Sequence, residues 1–145
     1  GLCRNKVSME NPPYGIKDER IRKRIVDAML SGDSQAGGLA GFPWPSLAEF
    51  QSLSLHVRNR IGRVRTPTVI VHSGDDDIAS LKNVRIVERG VRAPVETVLL
   101  DDSYHMVTVD RQRGELIDRS AEFFRRIAEA EPERVPAAAI AAAIE

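Results

Sequence analysis

The chain has 145 residues, and its 21 Lys and Arg residues balance 21 Asp and Glu residues, so the formal net charge is zero at pH 7. It lacks the basic excess that neutralises nucleic-acid phosphates or anionic membranes, so neither is predicted as a main partner. Hydrophobic residues at 42% and charged residues at 29% are typical of a globular protein. No apolar run approaches the roughly 20 residues of a membrane span. The only cysteine, Cys3, cannot form an internal disulfide, which favours a reducing compartment, and a cytoplasmic location is predicted.

Residues 1–62 are predicted to contain an irregular lead-in and two helices. The N-P-P-Y-G sequence at 11–15 interrupts regular structure. An amphipathic helix is predicted from Asp18 to Leu30, where Asp18 caps the first turn and Gly32 ends the helix. Its apolar stripe consists of Ile21, Ile25, Ala28 and Met29.

A loop rich in Gly, Pro and Ser is expected at 31–45, before the second helix. The S-L-A-E sequence from Ser46 to Glu49 has the pattern of a capping box, in which each of the two side chains binds the other residue's backbone N–H group. The helix is therefore predicted to begin at Ser46 and to end just before Gly62. Inward-facing side chains are expected at Leu47, Phe50, Leu53, Val57 and Ile61.

A strand, a helix and a second strand are predicted between positions 68 and 100. Thr68–His72 is a β-branched run without polar alternation, which is the pattern of a strand buried on both faces. Ser80 is predicted to cap the following helix, and Gly90 to occupy the position after its end. Val95–Leu100 has the composition of a second strand. This order predicts two adjacent, parallel strands.

A polar loop follows each strand, the acidic loop Ser73–Asp77 after the first and the loop Asp101–His105 after the second. Parallel neighbours end at the same edge of a sheet, and ligands of open α/β sheets bind beyond the carboxyl ends of the strands. The two loops are therefore expected to face one crevice. An aspartate and a histidine brought together in this way can form the orienting half of a nucleophilic triad.

A last helix is predicted over roughly Arg111 to Ala130, with Asp110 as its cap. The Ala-rich residues 131–145, which contain two prolines, are predicted to be a tail without chemistry. A parallel sheet normally has several strands and helices on both faces, and only two convincing strands are expected here. The chain is therefore expected to be the C-terminal part of a larger α/β protein.

The sequences T-P-T-V-I-V-H-S-G-D-D-D-I-A-S, at 66–80, and D-D-S-Y-H-M-V-T-V-D, at 101–110, carry a resemblance to a known family. Together they resemble the C-terminal part of the α/β-hydrolase superfamily. The nearest branch is that of bacterial carboxylesterases and monoacylglycerol-lipase-like proteins, also called serine aminopeptidase-like hydrolases. The resemblance covers most of residues 13–128. It implies that the catalytic acid is Asp76 and the catalytic base is His105.

The resemblance also implies a domain organisation. Residues 1–62 would be the irregular lead-in and a helical cap segment, 63–130 the C-terminal part of the α/β-hydrolase core, and 131–145 the tail. The fold class is thus predicted as α/β, with a parallel βαβ unit and a C-terminal helix after the cap segment. The expected partners are a small-molecule ester and the missing N-terminal half of the fold. No cofactor is predicted.

The departure from the family pattern concerns the nucleophile. In this superfamily a serine lies in a G-x-S-x-G turn between a strand and a helix, ahead of the acid and the histidine. The sequence contains no G-x-S-x-G, and its nearest match, G-D-S-Q-A at 32–36, follows a predicted helix. The resulting prediction is a fragment of a serine hydrolase of carboxylic esters, which supplies Asp76 and His105 to a serine outside this chain.

Two other functions remain open at this stage. The first is a metal site, because hard cations bind oxygen-rich clusters such as the one that these loops could form. Its ligands would come from Asp75, Asp76, Asp77, Asp101, Asp102 and His105. The second is a binding module that has the fold without a nucleophile.

Each candidate residue also has a purely structural interpretation. Asp76 could be a solvated acid at a helix N-terminus, with Asp75 and Asp77 as competitors for its catalytic role. His105 could be a structural loop residue. Histidines 72 and 56 are predicted to be a packing or hydrogen-bonding residue and a surface residue, respectively. The aromatic residues at 42 and 44 could line an acyl pocket or pack on the core.

Overall fold

The computed structural model describes residues 4–6, 12–38 and 41–130, and the predicted tail lies outside these ranges. Within them the chain is mixed α/β, and none of its helices is long and apolar enough to cross a membrane. The elements in chain order are β1 (Arg4–Lys6), α1 (Glu19–Ser31), β2 (Gly41–Pro43), α2 (Trp44–Arg60), a 3₁₀ turn (Ile61–Arg63), β3 (Thr68–Ser73), α3 (Lys82–Gly90), β4 (Val95–Leu100) and α4 (Arg113–Ala130).

Strands β3 and β4 form the predicted parallel pair. Their register runs from Thr68 opposite Val95 to Ser73 opposite Leu100, and the Gly74 N–H extends the ladder by donating to the Leu100 carbonyl at 2.7 Å. The pair forms a two-stranded sheet, so within the described ranges each strand has one edge without a strand partner. The prediction of adjacent, parallel strands is confirmed.

Helices α3 and α4 lie on opposite faces of this sheet. The Thr97 hydroxyl donates to the Glu88 carboxylate of α3 at 2.6 Å, whereas Glu96 of β4 binds Arg126 of α4. Neighbouring residues of a strand point to opposite faces, so the two contacts place one helix on each side. The most buried apolar side chains are Ile16, Val26, Val84, Leu100 and Phe123.

The ends of α3 differ from the prediction. The helix begins at Lys82 instead of directly after Ser80, although the Ser80 hydroxyl still accepts the Lys82 N–H at 3.3 Å. Gly90 is the last helical residue and does not adopt a left-handed conformation. A glycine fits here for another reason, because a Cβ at this position would overlap with Cγ2 of Ile61.

Helix α1 has both predicted caps. The Asp18 carboxylate accepts the N–H groups of Arg20 at 2.9 Å and Ile21 at 3.1 Å. At the other end Gly32 adopts the left-handed conformation with φ of 84°, which a residue without Cβ does at little cost.

Helix α2 differs from the prediction at its start and in its packing. It begins at Trp44, and the residue before it, Pro43, makes no side-chain cap. Pro45 sits in the first turn, where its missing N–H has no intrahelical partner to lose. The predicted capping box therefore lies inside the helix. The expected inward face is also wrong, since α2 has no buried residue and Phe50 is 67% exposed.

Two short strands were not predicted. Residues Arg4–Lys6 pair antiparallel with Gly41–Pro43, within segments expected to be irregular. Three-residue strands are too short to show a periodic pattern, and a proline is tolerated at a sheet edge.

Helix α4 begins at Arg113, two residues later than predicted, and Asp110 does not cap it with its side chain. The Asp110 carbonyl accepts the Arg113 N–H at 3.1 Å, while its carboxylate accepts four other N–H groups described below. The cap prediction was therefore wrong, because the carboxylate accepts N–H groups that all lie outside α4.

Candidate active site

Asp76 lies in the acidic loop, three residues after the end of β3, with its side chain only 4% exposed. Its Oδ1 atom accepts the N–H groups of Ile78 at 2.9 Å and Ala79 at 2.7 Å, which fixes the carboxylate against its own turn. Burial by itself raises the pKa of the Asp76 carboxyl. Hydrogen bonds from Ala79, His105 and Ile78 outweigh this effect, so the pKa lies below its ordinary value and the group is ionised at neutral pH.

His105 lies in the loop after β4 and points its Nδ1 atom at this carboxylate. Nδ1 is 3.0 Å from Asp76 Oδ2 and 3.2 Å from Oδ1. An ionised carboxylate can only accept, so Nδ1 carries the proton and, in the neutral ring, Nε2 is left as a proton acceptor. The His105 side chain is 42% exposed, which leaves the imidazole accessible from outside.

The three consecutive aspartates of the acidic loop have three different partners. Asp76 contacts His105, whereas Asp75 pairs with Lys17 at 2.9 Å. Asp77 turns the other way and accepts the backbone N–H groups of Tyr14 and Gly15. The structure thus brings the predicted acid and base together and separates them from the two competing aspartates. The catalytic roles of Asp76 and His105 stay predictions.

His72, at the end of β3, lies beneath the pair. Its Nδ1 atom is 2.7 Å from the Ser73 carbonyl, to which it donates, and its Nε2 atom is 3.5 Å from Asp76 Oδ2. In the neutral ring Nε2 carries no proton, so His72 forms an ion pair with Asp76 only when it is protonated. The prediction of a packing or hydrogen-bonding role agrees with these contacts. His56 is exposed on α2, as predicted.

Two fully buried serines join the two loops below the site. The Ser73 hydroxyl donates to the Ser103 carbonyl and accepts the Asp75 N–H at 3.0 Å. The Ser103 hydroxyl in turn accepts the Gln112 N–H at 3.2 Å. The acidic loop is therefore tied to the histidine loop by side chains as well as by the strand ladder.

Asp110 is a further buried carboxylate, 3% exposed, that the sequence analysis placed only as a cap. Its oxygens accept the N–H groups of Lys17 at 2.7 Å, Tyr104 at 2.8 Å, Asp18 at 2.9 Å and Arg111 at 2.9 Å. Burial raises the pKa of the Asp110 carboxyl, but these four hydrogen bonds outweigh it and the pKa is lowered. Asp110 thereby fixes the histidine loop to the segment before α1.

The acidic side chains proposed for a metal site do not gather around one point. Within residues 12–38 and 43–130, no group of three or more His, Asp and Glu side chains is arranged to hold an ion. Asp102 instead contacts Lys17 at 3.1 Å and Arg111 at 3.0 Å. These cations neutralise the loop, so the donor set does not favour the metal interpretation.

The sequence G-D-S-Q-A forms a turn after α1 and not a strand-to-helix elbow. Its Asp33 side chain accepts the N–H groups of Gln35 at 3.2 Å and Ala36 at 3.1 Å. Trp44 is half exposed at the start of α2, and the Phe42 side chain lies outside the described part of the chain. A groove of about 480 Å³ separates α2 from α3, and its apolar lining of Phe50, Leu53, Val57, Ile61, Ile86 and Val87 includes neither Asp76 nor His105.

Comparison with known proteins gives one partial similarity and no matching family model. Over 85 residues, 58% of the chain, the sequence is 31% identical to the thermostable monoacylglycerol lipase of Bacillus sp. (strain H-257). The aligned region is 34% of that lipase, so the chain spans about a third of the length of the curated relative that it matches. Monoacylglycerol lipase is an α/β-hydrolase, and the similarity supports a distant relation of this chain to that superfamily.

Proposed function

We propose that this chain supplies the acid and the base of a serine hydrolase that acts on carboxylic esters, in the branch of bacterial carboxylesterases and monoacylglycerol-lipase-like proteins. One observation carries the proposal: Nδ1 of His105 lies 3.0 Å from the buried carboxylate of Asp76 while the imidazole remains accessible. The distant similarity to a lipase supports the choice of an ester as substrate.

The proposed chemistry begins with a serine hydroxyl beside Nε2 of His105. Nε2 takes the hydroxyl proton as the oxygen attacks the ester carbonyl, and Asp76 stabilises the imidazolium that forms. The imidazolium then gives its proton to the departing alcohol, which leaves an acyl-serine. In the second half of the reaction Nε2 takes a proton from a water molecule as the water oxygen attacks the acyl carbonyl. The imidazolium then returns a proton to the serine oxygen, and the products are a carboxylic acid and the original serine.

The serine and the oxyanion hole are proposed to come from polypeptide outside these 145 residues. The sequence has no G-x-S-x-G, and the aligned region accounts for 34% of the related lipase. Residues 1–62 are proposed to be an irregular lead-in and a helical cap segment that contains α1 and α2, and residues 63–130 the part of the core that carries the acid and the base.

The test uses the protein encoded by the full gene, whose upstream sequence is expected to contain G-x-S-x-G after a strand. Turnover of p-nitrophenyl esters is measured for His105→Ala and Asp76→Asn. Each substitution is expected to lower kcat by about 10³- to 10⁴-fold, because each removes part of the proton-transfer unit. His56→Ala is the matched control, since His56 is exposed on α2 and its ring contacts Arg60. Full activity of His105→Ala would refute the proposal.

A non-catalytic binding module is the second candidate, and the absence of G-x-S-x-G from the 145 residues favours it for the chain by itself. It predicts that the full gene also lacks a serine elbow and that the protein does not turn over esters. An upstream elbow together with His105-dependent turnover would exclude it.

A further inference from the structure

Lys17 contacts both loops of the candidate site at once. Its Nζ atom is 2.9 Å from Oδ2 of Asp75 and 3.1 Å from Oδ1 of Asp102. Asp75 directly precedes Asp76, and Asp102 lies three residues before His105. One ammonium group therefore links the loop that carries the acid to the loop that carries the base.

The Lys17 side chain is held in this position from several sides. Its backbone N–H donates to Asp110, and Nζ lies 5.5 Å from the centre of the Tyr104 ring, within range of a cation–π contact. The side chain is 22% exposed. Hydrogen bonds to Asp75 and Asp102 raise the pKa of Lys17, so the ammonium keeps its charge throughout the neutral range.

Backbone groups close to Lys17 connect the same two loops. The Gly15 N–H donates to Asp77 at 3.0 Å, on the acidic loop, and the Gly15 carbonyl accepts the Met106 N–H at 2.8 Å, next to His105. Residues 14–18 thus contact the immediate chain neighbours of both members of the pair. The segment lies across the two loops and ends where α1 begins.

Charge explains why a lysine is suited to this place. Asp75, Asp76 and Asp102 bring negative charge to two neighbouring loops, and like charges on the loops favour their separation. An ammonium between the two outer carboxylates replaces repulsion by two attractions. A surface ion pair alone adds little stability, so the effect expected here is on geometry more than on unfolding.

We propose that Lys17 is a positioning residue, which holds the acidic loop and the histidine loop at the separation where Asp76 fixes the Nδ1–H tautomer of His105. The proposal rests on the proposed function only in giving this tautomer a catalytic purpose. Lys17 touches neither substrate nor the reacting atoms in this scheme.

The experiment measures the ring nitrogens of His105 by ¹⁵N NMR in the 145-residue chain at pH 8, where nitrogen shifts distinguish the two neutral tautomers. Wild type is expected to show the Nδ1–H tautomer alone. Lys17→Met, which keeps the aliphatic stem and removes the charge, is expected to give a mixture of tautomers. Lys17→Arg is expected to restore the single tautomer. Lys23→Met is the matched control, because Lys23 pairs with Asp27 within α1 at 2.6 Å.

A single Nδ1–H tautomer in Lys17→Met with native amide shifts in β3 and β4 would overturn the proposal. If Lys17→Met does not fold, Asp75→Asn replaces it, because the Asp75 carboxylate is 55% exposed and pairs with Lys17. That variant is also expected to show mixed tautomers, and an unchanged tautomer would overturn the proposal equally.

A kinetic measurement separates this inference from the proposed function. In the full-length protein, Lys17→Met is expected to lower kcat by about 10- to 100-fold with little change in KM, as a misplaced base does. If His105→Ala retains full turnover, the proposed function fails, and the NMR result alone then decides the positioning role of Lys17.

Discussion

Replacing Asp110 with asparagine tests how the histidine loop is held. The Asp110 carboxylate accepts four backbone N–H groups, two on each oxygen, and the residue is almost fully buried. Asparagine keeps one carbonyl oxygen and turns an NH₂ group towards the other two donors. Two hydrogen bonds to a charged group at about 1.5 kcal/mol each predict a loss of about 3 kcal/mol in the free energy of unfolding.

Urea unfolding followed by circular dichroism at 222 nm measures this loss. With an m-value of about 2 kcal/mol/M, the midpoint of Asp110→Asn is expected to fall by about 1.5 M at unchanged m. Asp118→Asn is the matched control, since Asp118 is exposed on α4, and its effect is expected to stay within about 0.5 kcal/mol. A midpoint for Asp110→Asn equal to that of the control would refute the reasoning.

The same carboxylate predicts a dependence of stability on pH. The pKa of Asp110 is lower in the folded chain than the reference value of about 3.9, so the folded state binds this proton less readily. Its contribution to stability is therefore complete above about pH 5 and is lost as the pH falls below 3.9 towards the folded-state pKa. Asp110→Asn is expected to lose less stability than wild type over this acidic range.

Three further predictions use other parts of the structure. Gly90→Ala should destabilise the chain by about 1–3 kcal/mol in thermal unfolding, because the new Cβ would meet Ile61. Gly114→Ala is the control: a Cβ on Gly114 has open space around it, so this substitution should stabilise α4 by up to about 1 kcal/mol. Phe50→Ser should leave the unfolding midpoint nearly unchanged and reduce binding of a hydrophobic dye, since Phe50 is exposed; a large loss of stability would contradict the observed packing. Asp76 also has a lowered pKa, so Asp76→Asn should share the reduced acid sensitivity of Asp110→Asn; an unchanged pH profile would count against its ionised, hydrogen-bonded state.

Apolar runs and capping residues in the sequence correctly predicted several helices and strands. The β-branched run at Thr68–His72 and the apolar run at Val95–Leu100 predicted the parallel strands, and Asp18 and Gly32 predicted the limits of α1. The shared edge of parallel strands then brought the acidic loop and His105 into one hypothesis, and the family resemblance selected Asp76 from the three aspartates of that loop. The structure adds the distance between them.

The remaining features depend on contacts between residues far apart in sequence. Asp77 binds the backbone at Tyr14 and Gly15, more than 60 positions earlier, and no periodicity reports such a contact. Periodicity identified apolar positions on α2 such as Phe50, but it could not show whether another element covers them. The contacts of Lys17 and Asp110 could likewise not be predicted, because each side chain joins segments that are far apart in sequence.

The absence of buried side chains on α2 has a consequence for hydrogen exchange. A helix of 17 residues without an anchored face has little beyond its own backbone ladder to keep it closed. Deuterium is therefore expected to enter its amides much sooner than those of β3 and β4, which pair along their whole length. A molecule that binds to this helix would slow deuterium uptake at the α2 amides first, so exchange in α2 can be used to detect association.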